Sequence, residues 1–194
     1  MVKPLTKAWQ EDIRRAVEVM RAGGIILYPT DTIWGIGCDA TNEEAVKKIY
    51  ALKEREDSKA LICLVHNDAR VQYYVRNVPN VAWDIIDCAL RPTTIVYDEA
   101  RNLAPNLIAE DGSIAIRITN EPFSKALCER MKHAIVSTSA NISGMPSPTC
   151  FDEIDFELRN AVDYVCTSRR NERNPQSSSI IKIGKGGEVK IIRK

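Results

Sequence analysis

The sequence predicts an α/β protein with a mixed sheet, and three observations carry this prediction. Short apolar runs rich in β-branched residues alternate along the chain with segments whose apolar residues recur at helical spacing. A strand, a helix and a second strand follow one another between residues 25 and 65, which indicates a crossover unit. Residues 179–183 and 188–192 are apolar runs around a GKGG turn, which predicts an antiparallel hairpin.

Local patterns predict the individual elements. Thr41 with Glu44 three residues later is a capping-box signature, and Asn120 is predicted to cap a helix that has Pro122 in its first turn. Helices are predicted at residues 11–22, from Thr41 to Leu52, and at 81–90, 120–131 and 151–160. Strands are predicted at residues 25–28, 60–65, 94–97, 113–119, 134–137, 164–166, 179–183 and 188–192.

Length and charge narrow the class of protein. A chain of 194 residues predicts one domain, residues 1–194, with a sizeable core. A formal net charge of +1 argues against a surface that is generally coated with nucleic acid, although a local basic groove stays open. The sequence has no apolar run of membrane-spanning length and no apolar signal-peptide core at its start, so we expect a cytoplasmic protein without a membrane partner.

The six cysteines are spread along the chain without a CxxC pair, and the two histidines are His66 and His133. Zinc sites usually show tighter ligand spacing, so no protein metal ligand is predicted. We expect reduced thiols that are mostly buried as small apolar groups. A Cys–His nucleophile is the alternative, and the spacing does not favour it.

The most informative segment is residues 24–55, which combines a strand, a turn rich in hydroxyls and glycines, and a helix that ends near Lys53 and Arg55. Hydroxyls beyond the end of a strand lie where open α/β sheets bind ligands, but a tight strand-to-helix connection explains the same residues. Lys53 and Arg55 could clamp phosphate oxygens, or could simply be favoured by the helix dipole.

Two further segments carry polar side chains. Residues 137–144, STSANISG, place four hydroxyls and an amide after a predicted strand, as in an anion-binding nest or an ordinary polar turn. In the alternating segment SIAIRIT, Arg117 is predicted to face away from Ile116 and Ile118, toward solvent or a substrate carboxylate. The GKGG turn and the Gly35-Ile36-Gly37 segment lack the remaining residues of a P-loop or a Rossmann fingerprint.

The segments YPTDTIWGIGCDAT, LKER with SKAL, SIAIRI, STSANISG with MPSPT, and SSSII, taken together, resemble the YrdC/Sua5 family. The resemblance covers residues 23–193 and implies a YrdC-like twisted mixed parallel/antiparallel sheet with flanking helices and a positively charged concave face. It implies the synthesis of threonylcarbamoyl-AMP and pyrophosphate from L-threonine, bicarbonate or CO2, and ATP, with Mg2+ on the ATP. The separate C-terminal domain of the longer Sua5 type is expected to be absent.

The resemblance also implies the roles of individual residues. Lys53 and Arg55 match the family's KxR and are implied to be catalytic. The implied nucleotide-binding residues are Lys53, Arg55, Lys59, Thr94, Ser139, Asn141, Ser147 and Arg193, and the implied threonine-binding residues are Thr32, Arg117 and Ser178. The chain departs from the family pattern at Glu56, Arg91 and Lys182.

The implied product serves t6A modification of tRNA, so the resemblance implies a TsaD-type transferase downstream and tRNA or double-stranded RNA as candidate partners. Two alternatives stay open at this point. One is a YciO-like paralogue that binds RNA or a nucleotide without this activity, and the other is a paralogue that acts on a different substrate acid.

Overall fold

A computed structural model describes residues 5–54, 61–174 and 176–194. The helices are α1 Lys7–Arg21, α2 Glu43–Leu52, α3 Asp68–Tyr74, α4 Asn80–Cys88, α5 Pro122–Met131 and α6 Phe156–Asn160. The strands are β1 Ile26–Tyr28, β2 Gly35–Gly37, β3 Ile62–Val65, β4 Thr93–Tyr97, β5 Ile114–Ile118, β6 Ile135–Ser139, β7 Tyr164–Val165, β8 Ser179–Ile183 and β9 Val189–Arg193.

The strands form one mixed sheet in the order β7-β1-β2-β6-β3-β5-β4-β8-β9. The pairs β1–β7, β3–β5 and β4–β8 are parallel, and the other neighbouring pairs are antiparallel. The predicted mixed α/β class and the terminal hairpin β8–β9 are therefore confirmed.

The predicted crossover between residues 25 and 65 is correct in kind but starts from the wrong strand. Strand β2 was missed, because a three-residue GIG segment resembles a turn. The pairings make β2 parallel to β3 with β6 between them, while β1 runs opposite to both. Gly37 is required here, since a Cβ would lie 2.6 Å from both the Tyr28 ring and the Val136 carbonyl oxygen.

Local capping also differs from the prediction at two helices. Asn42, not Thr41, caps α2 by accepting a hydrogen bond from the Ala45 amide, while the Thr41 hydroxyl donates to Asp39. Glu121, not Asn120, caps α5, because its longer carboxylate reaches the first free amides of the helix.

Two helical segments were misjudged. The predicted helix at residues 151–160 is a 3₁₀ turn, Phe151–Glu153, followed by α6, since Ile154 is extended and Asp155 caps a new helix. Helix α3 was not predicted from its short sequence, and Asn67 caps it.

The two faces of β5 have different surroundings, as its alternation predicts. Ile114 and Ile116 join the apolar core together with Phe123 and Leu127 of α5. Ala115 and Arg117, which lie on the opposite face of β5, line a cavity instead. The helices thus cover one face of the sheet at this strand and leave the other face for a site.

The prediction that most of the cysteines are buried is confirmed. Cys38, Cys63, Cys128 and Cys166 are buried, Cys150 is half-buried and Cys88 is exposed, and all are free. Burial raises the pKa of the Cys63 thiol to about 12. Within the described ranges, none of the helices has the length and apolar character that crossing a bilayer requires.

Candidate active site

A cavity of about 290 Å³ opens on the face of the sheet that carries Arg117. Its floor is a row of neighbouring apolar residues on three strands, Ile62, Ala115 and Val96. The predicted site residues that line it are Thr32, Arg117, Ser139, Ser147, Ser178 and Arg193. Residues that are up to 161 positions apart in the sequence, from Thr32 to Arg193, are thus brought to one concave surface.

Arg117 is held at this surface by Asp31, from the turn after β1. Its Nη2 and Nε atoms lie 2.8 and 3.1 Å from Asp31 Oδ1, and both side chains are largely buried, at 3% and 9% exposure. The same guanidinium donates to the Thr32 hydroxyl at 3.3 Å. Sequence reasoning gave Asp31 no role, although a buried arginine needs a counter-charge and Asp31 is the acidic residue of the YPTDT motif.

The opposite wall is built by the parallel pairing of β4 with β8. The Thr94 and Ser178 hydroxyls lie 2.8 Å apart, and Arg193 donates through Nε to the Ser178 carbonyl oxygen at 3.0 Å. Thr94 is fully buried beneath the cavity, where its hydroxyl is 3.4 Å from Arg117 Nη1. The threonine therefore orients Ser178 and Arg117 from below.

Two arginines dominate the charge of the cavity. Arg117 and Arg193 both line it, with Asp31 as the counter-charge of the first. Burial, and then repulsion from Arg117, lower the pKa of the Arg193 guanidinium. An anion bound between these groups would relieve that repulsion, so the cavity is suited to a carboxylate or a phosphate.

Lys53 lies at the C-terminal end of α2 and reaches the loop after β6. Its ammonium group donates to the backbone carbonyl oxygens of Ser139 at 2.6 Å and Asn141 at 2.5 Å. The Ser139 hydroxyl in turn donates to the Asn141 side chain, which also donates to the Met145 carbonyl. Lys53 is 2% exposed. The ammonium group thus fixes the STSAN loop at the rim of the cavity.

The structure does not bring every predicted residue into contact with the cavity. Lys53, Thr94 and Asn141 do not line it, but each is hydrogen-bonded to a residue that does. Arg55, Lys59 and Glu56 fall outside the described residues. Their roles, like those of the other site residues, stay predictions. Trp34 and Ser177 line the cavity and were not predicted, although they belong to the segments YPTDTIWGIGCDAT and SSSII that resemble the family.

Two departures from the family pattern have a structural setting. Lys182 of β8 pairs with Asp111 at 2.9 Å, and hydrogen bonds from Ser113 and Lys182 lower the pKa of that carboxyl to about 2. Arg91 is exposed on the loop before β4. Within the described ranges, no group of three or more His, Cys, Asp or Glu side chains could hold a metal ion.

The fold and the cavity define an α/β protein with a concave cavity that two arginines line, and comparison with known proteins identifies its family. The family model of Sua5, YciO and YrdC proteins, described as telomere recombination, matches residues 18–194. The chain belongs to this family.

Curated relatives cover most of the chain. A protein named threonylcarbamoyl-AMP synthase from Pseudoalteromonas translucida is 33% identical over 158 residues, which is 80% of this chain and 84% of that protein. A relative named putative threonylcarbamoyl-AMP synthase from Methanocaldococcus jannaschii is 37% identical over 179 residues, 90% of this chain and 83% of that protein. A threonylcarbamoyl-AMP synthase from Shigella flexneri is 32% identical over 166 residues, which is 84% of this chain and 87% of that protein.

Solved structures confirm the fold. YciO from E. coli superimposes with a TM-score of 0.82 at 23% identity, covering 95% of this chain and 89% of YciO. Sua5 from P. abyssi, solved in complex with L-threonine, gives a TM-score of 0.79 at 24% identity over 93% of this chain. The matched region covers 52% of that Sua5, so this chain spans about half its length.

We predict that replacing Asp31→Asn destabilises the protein, because it leaves a buried guanidinium without its counter-charge. The free energy of unfolding in urea should fall by about 3–5 kcal/mol. Asp111→Asn is the matched control, since it breaks the exposed pair with Lys182, and it should cost less than about 1 kcal/mol. Equal losses of unfolding free energy in the two variants would contradict this prediction, because the buried Asp31–Arg117 pair would then contribute no more than the exposed pair.

Proposed function

We propose that this chain is a threonylcarbamoyl-AMP synthase, which forms threonylcarbamoyl-AMP and pyrophosphate from L-threonine, bicarbonate or CO2, and ATP. The observation that carries the proposal is the set of relatives of that name, which are 32–37% identical over 80–90% of this chain. The cavity supports it, because a largely buried arginine and several hydroxyls suit an amino acid and a nucleotide held side by side.

The threonine would bind at the end of the cavity near Arg117. This guanidinium retains donors that Asp31 does not use, so it can grip the carboxylate of the amino acid while it stays paired. Thr32 and Ser178 supply hydroxyls on either side of it, which orient the substrate.

The nucleotide would bind between the loop after β6 and the end of β9. Ser139 and Ser147 line the cavity on the loop side, and Arg193 lines it from the last strand. Lys53 fixes the loop through two carbonyl oxygens, and Asn141 closes it through Met145. The roles of Arg55 and Lys59 as further cations for the phosphates rest on the KxR resemblance.

In the proposed reaction the threonine nitrogen attacks CO2 and loses a proton, which gives a carbamate. A carbamate oxygen then attacks the α-phosphorus of ATP, and the bond from that phosphorus to the bridging oxygen breaks as pyrophosphate leaves. Such a displacement needs positioning and charge neutralisation more than a covalent nucleophile. The cysteines and histidines are not among the described residues that line the cavity, in keeping with this requirement.

We also propose that Mg2+ enters with ATP. In phosphoryl-transfer sites Mg2+ is commonly held by phosphate oxygens and water rather than by a protein cage. The cavity fits this arrangement, since it supplies arginines and hydroxyls but, among the described residues, no cluster of metal ligands. The ion would neutralise phosphate charge there.

The partners follow from the proposed product. A threonylcarbamoyl adenylate is a mixed anhydride that must pass to an acceptor, so a TsaD-type transferase and tRNA are the proposed partners, in the cytoplasm. The alternative of an RNA-binding or nucleotide-binding paralogue without turnover would show steeply salt-dependent RNA affinity and no pyrophosphate release.

The direct test is pyrophosphate release by the purified protein with ATP and Mg2+, omitting threonine and bicarbonate in turn. We expect release that requires both. Release that continues unchanged without threonine would contradict the proposed function. Release with serine or another amino acid in place of threonine would instead assign the site to a different substrate acid.

We expect Lys53→Met to lower kcat/KM for ATP by about 100-fold, because the STSAN loop loses the cation that fixes it and the nucleotide loses positive charge. Arg55→Ala should act in the same direction. Lys47→Met, on the same helix but half-exposed and paired with Glu43 and Glu44, is the control and should leave kcat/KM unchanged. Wild-type turnover in the Lys53 and Arg55 variants would contradict their roles.

A further inference from the structure

The described residues between β7 and β8, 167–174 and 176–178, form a strap that reaches the cavity. Ser177 and Ser178 at its end line the cavity. Its beginning is tied to α1 through Asp12, a buried carboxylate that accepts hydrogen bonds from the Thr167 and Ser168 amides at 3.0 and 2.7 Å. Between these two ends, the strap crosses the turn that carries Asp31 and Thr32.

Arg169 of the strap contacts that turn directly. Its Nη1 atom donates to the carbonyl oxygen of Thr30 at 2.9 Å and lies 3.1 Å from a carboxylate oxygen of Glu121. The Nε and Nη2 atoms of Arg169 each lie 2.7 Å from one carboxylate oxygen of Glu172. The Arg169 and Glu121 side chains are only 11% and 15% exposed, so their contact is an interior one, whereas Glu172 is 53% exposed.

The carbonyl oxygen that Arg169 contacts belongs to Thr30, whose hydroxyl forms hydrogen bonds within the turn after β1. The Thr30 hydroxyl donates to the Ile33 carbonyl at 2.7 Å and accepts from the Thr32 amide at 3.0 Å. One residue further on, Asn174 of the strap donates to the Asp31 carbonyl at 3.3 Å. The strap therefore holds the carbonyl groups of both peptides that precede Thr32.

The second contact of Arg169 is with Glu121, which lies on the chain that follows the strand of Arg117. Glu121 caps α5, where it accepts from the Phe123 and Ser124 amides, and this cap follows directly after β5. The Ser124 hydroxyl also meets the Thr119 hydroxyl at 2.7 Å, two residues beyond Arg117. A single guanidinium thus bridges the turn that carries Asp31 and the chain that leaves the strand of Arg117.

Two further observations indicate that Arg169 is held in place. Its backbone φ is +61°, in the left-handed region, which a residue with a side chain adopts only where its surroundings compensate. The space between the strap and the turn is almost filled, with a cavity of about 10 Å³ left there, room for no more than a single water.

We propose that Arg169 is a positioning residue for the amino-acid half of the site: by holding the Thr30 carbonyl and Glu121 together, it sets the position of Asp31 and Thr32 against Arg117. This inference rests on the proposed function for its substrate, L-threonine. Arg169 does not line the main cavity, so its effect on the substrate passes through the turn.

The test compares Arg169→Gln and Arg169→Lys with a matched control, Arg173→Gln. Arg173 belongs to the same strap, but it is 66% exposed and pairs with Glu153 away from the turn. In threonine-dependent pyrophosphate release, Arg169→Gln should raise the KM for threonine by about 10-fold or more. The turn would no longer hold Arg117 in position, so the charge-assisted contact with the threonine carboxylate would be lost. Its KM for ATP should change by less than about 2-fold, since the nucleotide half is built from other elements.

Arg169→Lys keeps the charge and one contact, and should recover part of the threonine KM, while Arg173→Gln should match the wild type. Equal threonine KM values in Arg169→Gln and Arg173→Gln would overturn the proposal. An equal rise of both KM values in Arg169→Gln would also overturn it, because that result indicates general loosening of the fold.

Hydrogen exchange of residues 29–34 without any ligand separates this proposal from the proposed function. We expect faster exchange of the Thr32 amide in Arg169→Gln than in Arg173→Gln, with unchanged exchange in the core strands. Unchanged exchange at Thr32 would overturn the positioning role, even if the enzyme is active. An absence of threonine-dependent turnover in the wild type would overturn the proposed function alone, since the exchange result still decides what Arg169 holds.

Discussion

The buried ion pair between Asp31 and Arg117 is the constraint on which the site depends. Arg117 is 3% exposed on an interior strand of the sheet, where a guanidinium without a counter-charge would be strongly unfavourable. The turn after β1 must therefore lie over β5, although β2, β6 and β3 separate the two strands in the sheet. This requirement defines one wall of the cavity, and it fixes Thr32 beside the arginine.

The remaining walls follow from the sheet order. The parallel pairing of β4 with β8 places Thr94 beneath Ser178, and the hairpin returns Arg193 to the same corner. On the other side, Lys53 ties the end of α2 to the loop after β6. The site is thus built from several separate segments, each held by hydrogen bonds to another, and Arg169 supplies the corresponding tie from the strap.

Periodicity alone predicted the face of the sheet on which Arg117 lies. The alternation in SIAIRIT placed Arg117 opposite Ile116, and the structure puts Ile116 in the core and Arg117 at the cavity. The resemblance to a family supplied Ser178 and Arg193, which no local pattern would single out. Their proximity to Thr94 depends on the pairing of β4 with β8, which is a long-range property of the sheet.

The features that were not predicted also depend on contacts between residues far apart in the sequence. Strand β2 was missed because Gly37 is selected by the close approach of Tyr28 and Val136, which a local turn pattern cannot register. The hydrogen bonds from Lys53 to carbonyl oxygens 86 and 88 residues away could not be predicted from the local sequence either, and its role toward a phosphate stays a prediction. The role of Asp31 became clear only from the structure, which shows that it pairs with Arg117.

The central claim is that Arg117, held by Asp31, binds the carboxylate of L-threonine. The most direct measurement compares kcat/KM for L-threonine and L-threoninamide, which lacks the charged carboxylate, in the wild type and in Arg117→Gln. A charge-assisted contact predicts that the wild type favours threonine by about 10- to 100-fold and that the variant loses most of this preference. An equal preference in the two proteins would contradict the claim, because the carboxylate would then be recognised elsewhere.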